Sequence, residues 1–390
     1  MTNELVKGFR DIEDATKRNA IRNIIESTFQ LYNFTSVETP IVEYEDFVKG
    51  NNQNDEAVSD IFKLKDKGDR NLALRYEFTF QLKRIANNKK LPYKRYQIGP
   101  VFRDEPITGN RWRQFTQCDA DIIGSGIKDE AEILKITQEI LNKLKIKFTI
   151  NINNRKLLNE ILNDFKIPDE KKDSVIREID KIDKLDEKEV KENLKKYNAE
   201  SILTILKKPE SYFEKYPSYA EIKELKKICS LYKVKLNFQP FLARGLSYYN
   251  GTVYEVKGEV KETITAGGSY LVNGIQSTGI SLGLDRLELI SKIKVNNNKI
   301  LIISINQDKK AIEIADKLRL NNIQTSIMYN KPGKALEYAN SYLIPIVIFI
   351  GEEEVKKKKF KIKNMSSGKE RFVSKKSLEK ELIKELNKFI

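Results

Sequence analysis

The sequence contains no histidine and only two cysteines among its 390 residues. Without histidine, mechanisms that use a Ser-His-Asp triad or a Cys-His pair are excluded. Cys118 and Cys229 are too few for a disulfide framework, and they cannot build an ordinary structural zinc site alone. Acid–base chemistry must therefore come from carboxylates, lysines, tyrosines or the substrate itself.

Long apolar runs are also missing. No stretch of 18 apolar residues exists, so no membrane span is predicted. The start, MTNELVKGFRDIED, lacks the apolar centre of a signal peptide, so we expect the protein to stay in the cytoplasm. Hydrophobic residues make up 40% of the chain, which is enough for buried cores, and the length predicts two or three domains.

Positive charge is in excess, with a net charge of +15. Residues 301–390 hold 19 Lys and Arg against 11 Asp and Glu, so just over half of the excess lies in this segment. Such an excess favours a polyanionic partner, with nucleic acid as the leading candidate. The alternative is an AT-rich codon bias that inflates lysine, which the abundance of Asn, Ile and Lys supports.

The pattern along the chain predicts an α+β fold. Residues 15–33 have the spacing of an amphipathic helix, and short β-rich runs typical of an antiparallel sheet follow it. We assign residues 1–155 and 233–294 to one domain and the Lys/Glu/Leu-rich residues 156–232 to a helical insertion. A polar break at 295–298 predicts a linker, after which strands and helices alternate through 299–390, as in an α/β domain.

One polar segment could bind a nucleotide. In RYQIGPVFRDEPITGNRWRQFTQCDADIIG, Arg103 and Glu105 are expected on one face of a strand, with Arg111 and Arg113 just beyond a turn. Guanidinium groups match phosphate geometry, and an acid can accept a hydrogen bond from the adenine amino group. The alternative is a surface hairpin whose Arg and Glu side chains only pair with one another.

Two further segments stand out. In FLARGLSYYNGTVYEV, Arg244 precedes the adjacent tyrosines Tyr248 and Tyr249. In TAGGSYLVNGIQSTGISLGLDRLELI, a glycine pair permits close backbone approach, and Arg286 falls in the first turns of a predicted helix. The alternatives are an aromatic core strand and an ordinary strand–helix junction, and each segment alone is a weak signal.

Taken together and in this order, the segments resemble a known family. FRDE followed by RWRQF is similar to the second signature of class II aminoacyl-tRNA synthetases, and GISLGLDRL is similar to the third. The segment around Thr39-Pro40 resembles the first signature, whose proline lies at a dimer interface. ARGLSYYNGTVYE closely resembles the signature of histidyl-tRNA synthetases, and LALRYEFT has the form of their archaeal branch.

The resemblance implies a fold and an activity. The fold would be a class II antiparallel sheet with a helical insertion and a C-terminal anticodon-binding domain. The activity would be a ligase reaction that joins L-histidine to tRNA(His), with ATP as co-substrate and Mg²⁺ accompanying it, in a cytoplasmic homodimer. For ATP the resemblance implies Arg103 on the α-phosphate, Glu105 and Phe115 on the adenine, and Arg111 and Arg286 on the distal phosphates.

The same resemblance implies a histidine pocket. Arg244 would stabilise the transition state of adenylation, and Arg103 would share that catalytic role. The residues implied to bind histidine are Glu77, Thr79 and Gln117 at the head group, with Asp121, Tyr248 and Tyr249 around the imidazole. No metal ligand is implied.

Some positions depart from the family pattern. The family often has histidine at Thr116, aspartate at Ser247, and an Arg-Tyr-Asp run where this chain has Ser269, Tyr270 and Leu271. The last difference puts part of the amino-acid pocket in doubt. The main rival is a catalytically silent paralogue that regulates histidine biosynthesis, but such paralogues typically lack the anticodon domain and the arginine set.

The absence of histidine leads to a prediction if the resemblance holds. An enzyme that supplies histidyl-tRNA is translated from the pool that it maintains, so a histidine-free chain could still be made when that pool runs low. We therefore expect pulse-labelled synthesis of this chain to persist in histidine-starved source cells, relative to histidine-containing proteins of similar abundance. Compositional drift is the alternative, because Cys, Met and Trp number only 2, 3 and 1. An equal fall in synthesis, or scarce histidine throughout the proteome, would favour drift.

Overall fold

The computed structural model describes residues 4–50, 56–107, 111–182, 185–244, 248–259, 263–295, 298–329 and 331–386. The chain divides into two compact units, residues 1–293 and 294–390. Asn296 and Asn297, in the centre of the predicted linker, lie outside the described residues.

The first unit starts with helix α1 (Thr16–Leu31), in which Ile21, Ile25 and Phe29 recur at helical spacing and are fully buried. This matches the helix expected at 15–33 to within two residues. The elements that follow it are β1 (Thr35–Ser36), β2 (Val42–Tyr44), α2 (Glu45–Lys49), α3 (Glu56–Ser59), β3 (Lys63–Lys65), β4 (Asn71–Leu74), α4 (Leu82–Ile85), β5 (Tyr93–Phe102), β6 (Gln114–Ile123), α5 (Ile127–Lys143) and β7 (Phe148–Asn154).

The next segment is helical, in line with its Lys/Glu/Leu-rich pattern. It contains α6 (Arg155–Asp164), α7 (Asp169–Ile179), α8 (Glu187–Lys195), α9 (Ile202–Leu206), a 3₁₀ turn (Glu210–Lys215) and α10 (Tyr219–Leu231). Its buried side chains, such as Val175 and Phe213, belong to the same hydrophobic core as the sheet. The unit then closes with β8 (Leu236–Phe238), β9 (Tyr249–Gly258), β10 (Thr263–Val272), β11 (Ile275–Gly283) and α11 (Leu284–Ile290).

An eight-stranded sheet organises this unit, in the order β1-β5-β6-β11-β10-β9-β7-β8. The edge pairs β1–β5 and β7–β8 are parallel, and the pairs between them are antiparallel. A small sheet, β2-β4-β3, lies apart from it. The described residues therefore confirm the predicted α+β class with a large antiparallel sheet.

The two faces of the large sheet differ, as strand β6 shows. Because successive side chains point to opposite faces, Cys118, Ala120 and Ile122 enter the core that α1 and α5 cover. Gln117, Asp119 and Asp121 point the other way and are buried as well, at 8%, 4% and 4% exposure. A polar face this deeply buried marks the side on which a site can be built.

The second unit is a mixed sheet in the order β13-β12-β14-β15-β16. Its elements are β12 (Lys299–Ser304), α12 (Asp308–Leu320), β13 (Gln324–Met328), α13 (Pro332–Ser341), β14 (Ile346–Ile350), α14 (Glu352–Lys357), β15 (Lys359–Asn364), β16 (Glu370–Ser374) and α15 (Leu378–Leu386). The alternation of strands and helices is as predicted up to β14.

The antiparallel hairpin β15–β16 was not predicted from the sequence. Phe360 and Ile362 alternate with lysines in this segment and are buried, so the period-2 signal exists. The run of lysines before it hid this signal, because it lowers the mean hydropathy of the segment. Among the described helices of both units, none is long and apolar enough to cross a membrane.

Candidate active site

Asp121 lies at the centre of the polar face of the sheet. In register it faces Arg95 of β5 on one side and Gly279 of β11 on the other. Arg95 Nη2 lies 2.7 Å from Asp121 Oδ2, and the hydroxyl of Tyr270 donates a hydrogen bond to Asp121 Oδ1. A Cβ atom on Gly279 would sit 2.1 Å from Asp121 Oδ1, so glycine is needed for the carboxylate to lie across this strand.

Two carboxylates share this face within three residues. Burial raises the pKa of Asp121, although Arg95 and Tyr270 oppose that shift. Burial, assisted by the nearby Asp121 carboxylate, raises the pKa of Asp119 to about 8. Asp119 therefore holds its proton more strongly than an exposed aspartate does, and Asp121 is the carboxylate of this pair that lies against a guanidinium.

Hydrogen-bond acceptors without a donor lie on the same strand as Asp121. Gln117 Nε2 donates to Ser281 Oγ at 2.7 Å, which orients the amide. Gln117 Oε1 and Asp119 Oδ1 are buried and have no hydrogen-bond partner among the described residues. Buried acceptors of this kind are costly unless a donor reaches them, so a ligand with N–H groups fits here.

Aromatic rings enclose the same space. The ring centroids of Tyr248 and Tyr249 are 4.8 Å apart, and those of Tyr248 and Tyr270 are 5.6 Å apart. Burial raises the pKa of all three hydroxyls, so each stays a neutral donor. Glu77 is 6% exposed and near enough to Asp119 and Tyr248 to raise their pKa values. Thr79 is half-buried in the turn before α4.

A second group surrounds the end of β5. The Arg103 guanidinium lies 5.2 Å from the ring centroid of Phe115, and its Nε donates to Tyr76 O at 3.2 Å. Glu105 lies between two arginines, with Arg103 Nη1 at 3.7 Å and Arg111 Nη1 at 3.5 Å from its carboxylate oxygens. An aromatic face, an acid and two guanidiniums thus converge.

One expectation about this group was wrong. Strand β5 ends at Phe102, so Arg103 and Glu105 do not share a face of that strand. They follow it as an irregular segment, in which Arg103 N donates to Arg113 O at 2.9 Å. The backbone is held by this bond, while the side chains are placed by the loop rather than by strand alternation.

A third group links Arg244 to Arg286. Arg244 Nη1 lies 3.9 Å from Glu255 Oε1, which also accepts a hydrogen bond from the Thr263 hydroxyl. Arg286 donates to Thr263 O, so the two arginines meet through one acid and one threonine. Arg244 has a φ of +58°, a left-handed conformation that arginine rarely adopts. Gly245 and Ser247, which follow it, lie outside the described residues.

Asp285 is a supporting residue that the sequence did not reveal. It accepts hydrogen bonds from Arg10 and Arg18, each at 2.9 Å, and from Thr116 N at 2.8 Å. Although burial opposes the shift, these bonds hold the pKa of Asp285 below its usual range. The start of α11, which carries Arg286, is thereby tied to β6 next to Phe115 and to α1.

Other residues of the pocket were missed as well. Tyr270 was noted only as part of a departure from the family pattern, yet its hydroxyl reaches Asp121. Asp119 could have been found, because strand alternation puts it between Gln117 and Asp121 on one face. Arg95 carried no such signal, because its role depends on the pairing register of β5 with β6.

Comparison with known proteins agrees with this arrangement. The model of the family "Histidyl-tRNA synthetase" matches residues 8–287, and that of "Anticodon binding domain" matches residues 299–385. The chain is 35% identical to a histidine–tRNA ligase 1 of Bacillus cereus, over 94% of this chain and 96% of that protein. It is 32% identical to histidine–tRNA ligase of Wolinella succinogenes, over 94% and 95%.

Solved structures show the same fold. Histidyl-tRNA synthetase from Nostoc sp. PCC 7120 superposes with a TM-score of 0.86 at 24% identity, over 99% of this chain and all of that one. An ATP phosphoribosyltransferase regulatory subunit/histidyl-tRNA synthetase from Bacillus halodurans gives a TM-score of 0.74 at 20% identity, over 86% of this chain and 96% of that one. With its polar sheet face, its two family models and these relatives, the chain belongs to the histidyl-tRNA synthetase family.

Proposed function

We propose that this protein activates L-histidine with ATP and transfers it to the 3′ end of tRNA(His). The observation that carries the proposal is the buried acceptor row Gln117, Asp119 and Asp121, which lies beside the arginine–phenylalanine group on one sheet face. The relatives named histidine–tRNA ligase support it. ATP–pyrophosphate exchange measured with each amino acid in turn tests it, and exchange only with histidine is the expected result.

In this proposal Asp121 identifies the imidazole. Its carboxylate accepts a hydrogen bond from a ring N–H, while Arg95 and Tyr270 hold it in place. Tyr248 and Tyr249 pack around the ring and offer their hydroxyls as donors. The α-amino group is taken by Glu77, Thr79 and Gln117, and the unpartnered oxygens of Gln117 and Asp119 give it acceptors.

ATP binds across the second and third groups. Phe115 stacks on the adenine, and Glu105 accepts from its amino group. Arg103 holds the α-phosphate, whereas Arg111 and Arg286 hold the distal phosphates. Glu105 now contacts both Arg103 and Arg111, so ATP would release these guanidiniums to the phosphates.

Adenylation is an in-line displacement. A histidine carboxylate oxygen attacks the α-phosphorus, the bond to the bridging oxygen of the β-phosphate breaks, and pyrophosphate leaves with the electron pair. Arg103 and Arg244 stabilise the negative charge that grows on the α-phosphate oxygens. Arg244 can do so because its Nε is buried without a hydrogen-bond partner among the described residues, and its guanidinium lies near Glu255 without a tight bond to it.

Transfer follows on the same face. The 3′-terminal ribose hydroxyl of tRNA attacks the acyl carbon, and AMP leaves with its phosphate oxygen. No histidine base exists in this chain. We therefore assign the proton of that hydroxyl to a non-bridging oxygen of the adenylate phosphate.

Mg²⁺ would come with ATP in this proposal. The described residues contain no group of three or more acidic, histidine or cysteine side chains that could hold a metal ion. The metal would arrive on the phosphates of ATP, whose charge it neutralises when bound. A homodimer is likewise proposed, on the likeness of the Thr39-Pro40 segment to an interface signature, and sedimentation velocity would test it. A cytoplasmic location is proposed on the bacterial relatives named histidine–tRNA ligase.

The first prediction for this site concerns the imidazole contacts. Asp121→Asn should raise the KM for histidine about tenfold or more, because a charge-assisted hydrogen bond is lost, with little change in the KM for ATP. Tyr270→Phe should act in the same direction but less. Steady-state exchange kinetics measure both values, and thermal unfolding checks folding because Arg95 loses its charged partner. Equal changes in the two KM values would remove Asp121 from imidazole recognition.

The second prediction concerns the arginines. Arg103→Ala and Arg244→Ala should each slow exchange by roughly 100-fold or more, as losses of transition-state electrostatics do. Arg244→Lys should recover only part of the rate, since an ammonium lacks the planar fork. Arg319→Ala is the control, because Arg319 pairs with Asp316 in the other unit. A rate within about tenfold of wild type for Arg244→Ala would exclude it from the mechanism.

The third prediction concerns the second unit. A fragment of residues 1–293 should keep histidine-dependent exchange but charge tRNA poorly, because residues 301–390 supply positive charge for phosphate contacts. The fragment can fold because the buried clusters of the second unit contain only residues after 299. Charging at the full-length rate would show that this unit is not a tRNA-binding element.

A further inference from the structure

A cavity of about 250 Å³ lies away from the histidine pocket, between the helices and the covered face of the sheet. Ser269 points to the face of the sheet that the helices cover, since its hydroxyl contacts Glu130 of α5. The next residue, Tyr270, points to the opposite, polar face, where it contacts Asp121. The polar side chains that line the cavity include Glu130, Lys156, Glu221, Glu224, Ser269 and Gln276. None of them is used in the mechanism above.

Glu130 is the buried acidic side chain in the wall of this cavity. It is only 8% exposed, and its Oε1 accepts the hydrogen bond from Ser269. Its Oε2 is buried and has no hydrogen-bond partner among the described residues. Burial raises the pKa of Glu130, although the Ser269 and Thr252 hydroxyls oppose that shift. A cationic donor at Oε2 would stabilise the charged carboxylate, so the wall of this cavity offers an acceptor that a ligand could satisfy.

Four of the other polar side chains already have hydrogen-bond partners. Glu221 accepts from Asn154 Nδ2 at 2.8 Å and from Lys156 Nζ at 2.6 Å. Asn250 and Gln276 pair through their amides, with Asn250 Nδ2 donating to Gln276 Oε1 at 3.0 Å. Lys156 is thus hydrogen-bonded to Glu221, and its charge only partly offsets the burial of Glu130.

The sign of the charge favours a cation. Three glutamates and one lysine line the cavity. The N-terminus of α5 also lies there, and a helix N-terminus ordinarily attracts anions. Here, however, the Asp129 carboxylate already lies at this end, where it accepts from Gly126 N at 2.8 Å, so the chain supplies its own negative charge there.

The donor geometry favours an organic cation over a metal. A metal would need several converging acidic ligands, and among the described residues no three acidic, histidine or cysteine side chains lie together so that they could hold a metal ion. A guanidinium presents several N–H donors in one plane, which suits one free carboxylate oxygen surrounded by hydroxyl and amide groups. We propose that this cavity is a binding site for a small organic cation with a guanidinium head, held by Glu130.

The test uses the full-length protein and methylguanidinium, with its neutral isostere methylurea as the control ligand. Calorimetry and ligand-observed NMR should show methylguanidinium binding at least about tenfold more tightly than methylurea, because only the cation gains a charge-assisted hydrogen bond. Saturating L-histidine should leave this binding unchanged. Displacement by histidine would place the probe in the amino-acid pocket and overturn the proposal.

Variants locate the site. Glu130→Gln should weaken binding about tenfold or more while keeping the shape of the side chain. Glu132→Gln is the matched control on the same helix, because Glu132 pairs with Lys94 outside the cavity, and it should bind as wild type does. Ser269→Arg should abolish binding and raise the melting temperature, since its own guanidinium would reach Glu130.

Three results would contradict the proposal even if Glu130→Gln folded poorly. These are equal binding of methylurea and methylguanidinium, undiminished binding to Ser269→Arg, and binding of inorganic phosphate in place of the cation. The last would show that the α5 N-terminus, rather than Glu130, sets the charge preference of the cavity.

Discussion

The ion pair between Arg95 and Asp121 is the interaction on which the pocket depends. Arg95 is completely buried, and among the described residues its guanidinium reaches only Asp121 and the Phe78 carbonyl. A buried pair of this kind adds little net stability, but loss of one partner leaves an uncompensated charge. The pair therefore fixes the position of the Asp121 carboxylate in the pocket, and the sheet must hold both strands in register to keep it.

Glycines extend this constraint across the sheet. Gly279 lies opposite Asp121, and Gly268 lies opposite Gly279 in the next strand. A Cβ atom on Gly268 would meet Thr252 O at 2.5 Å and the Tyr249 ring at 2.8 Å. Side chains at positions 268 and 279 would occupy the space next to Tyr249 and Asp121. The space for a ligand therefore depends on glycine at these two positions.

The sequence predicted some secondary-structure elements well, but it did not predict the roles of several site residues. The α+β class, α1 and the helical run after β7 follow from periodicity, because burial dictates the spacing of apolar residues. Arg95, Tyr270 and Asp285 could not be assigned roles from periodicity, because each acts through a partner more than 20 residues away that only the register or the packing supplies. The hairpin β15–β16 was missed for a different reason, since its lysines hid a regular alternation.

The arginines of the site are held by acids before any phosphate arrives. Glu105 lies near Arg103 and Arg111, and Glu255 lies near Arg244, at separations of 3.5 to 3.9 Å that are longer than good charged hydrogen bonds. Each acid lowers the cost of gathering positive charge without binding it tightly. When ATP binds, each arginine can exchange its loose contact with a carboxylate for a bidentate contact with a phosphate, and little reorganisation of the site is needed. Charges that are already in place in this way stabilise a transition state strongly.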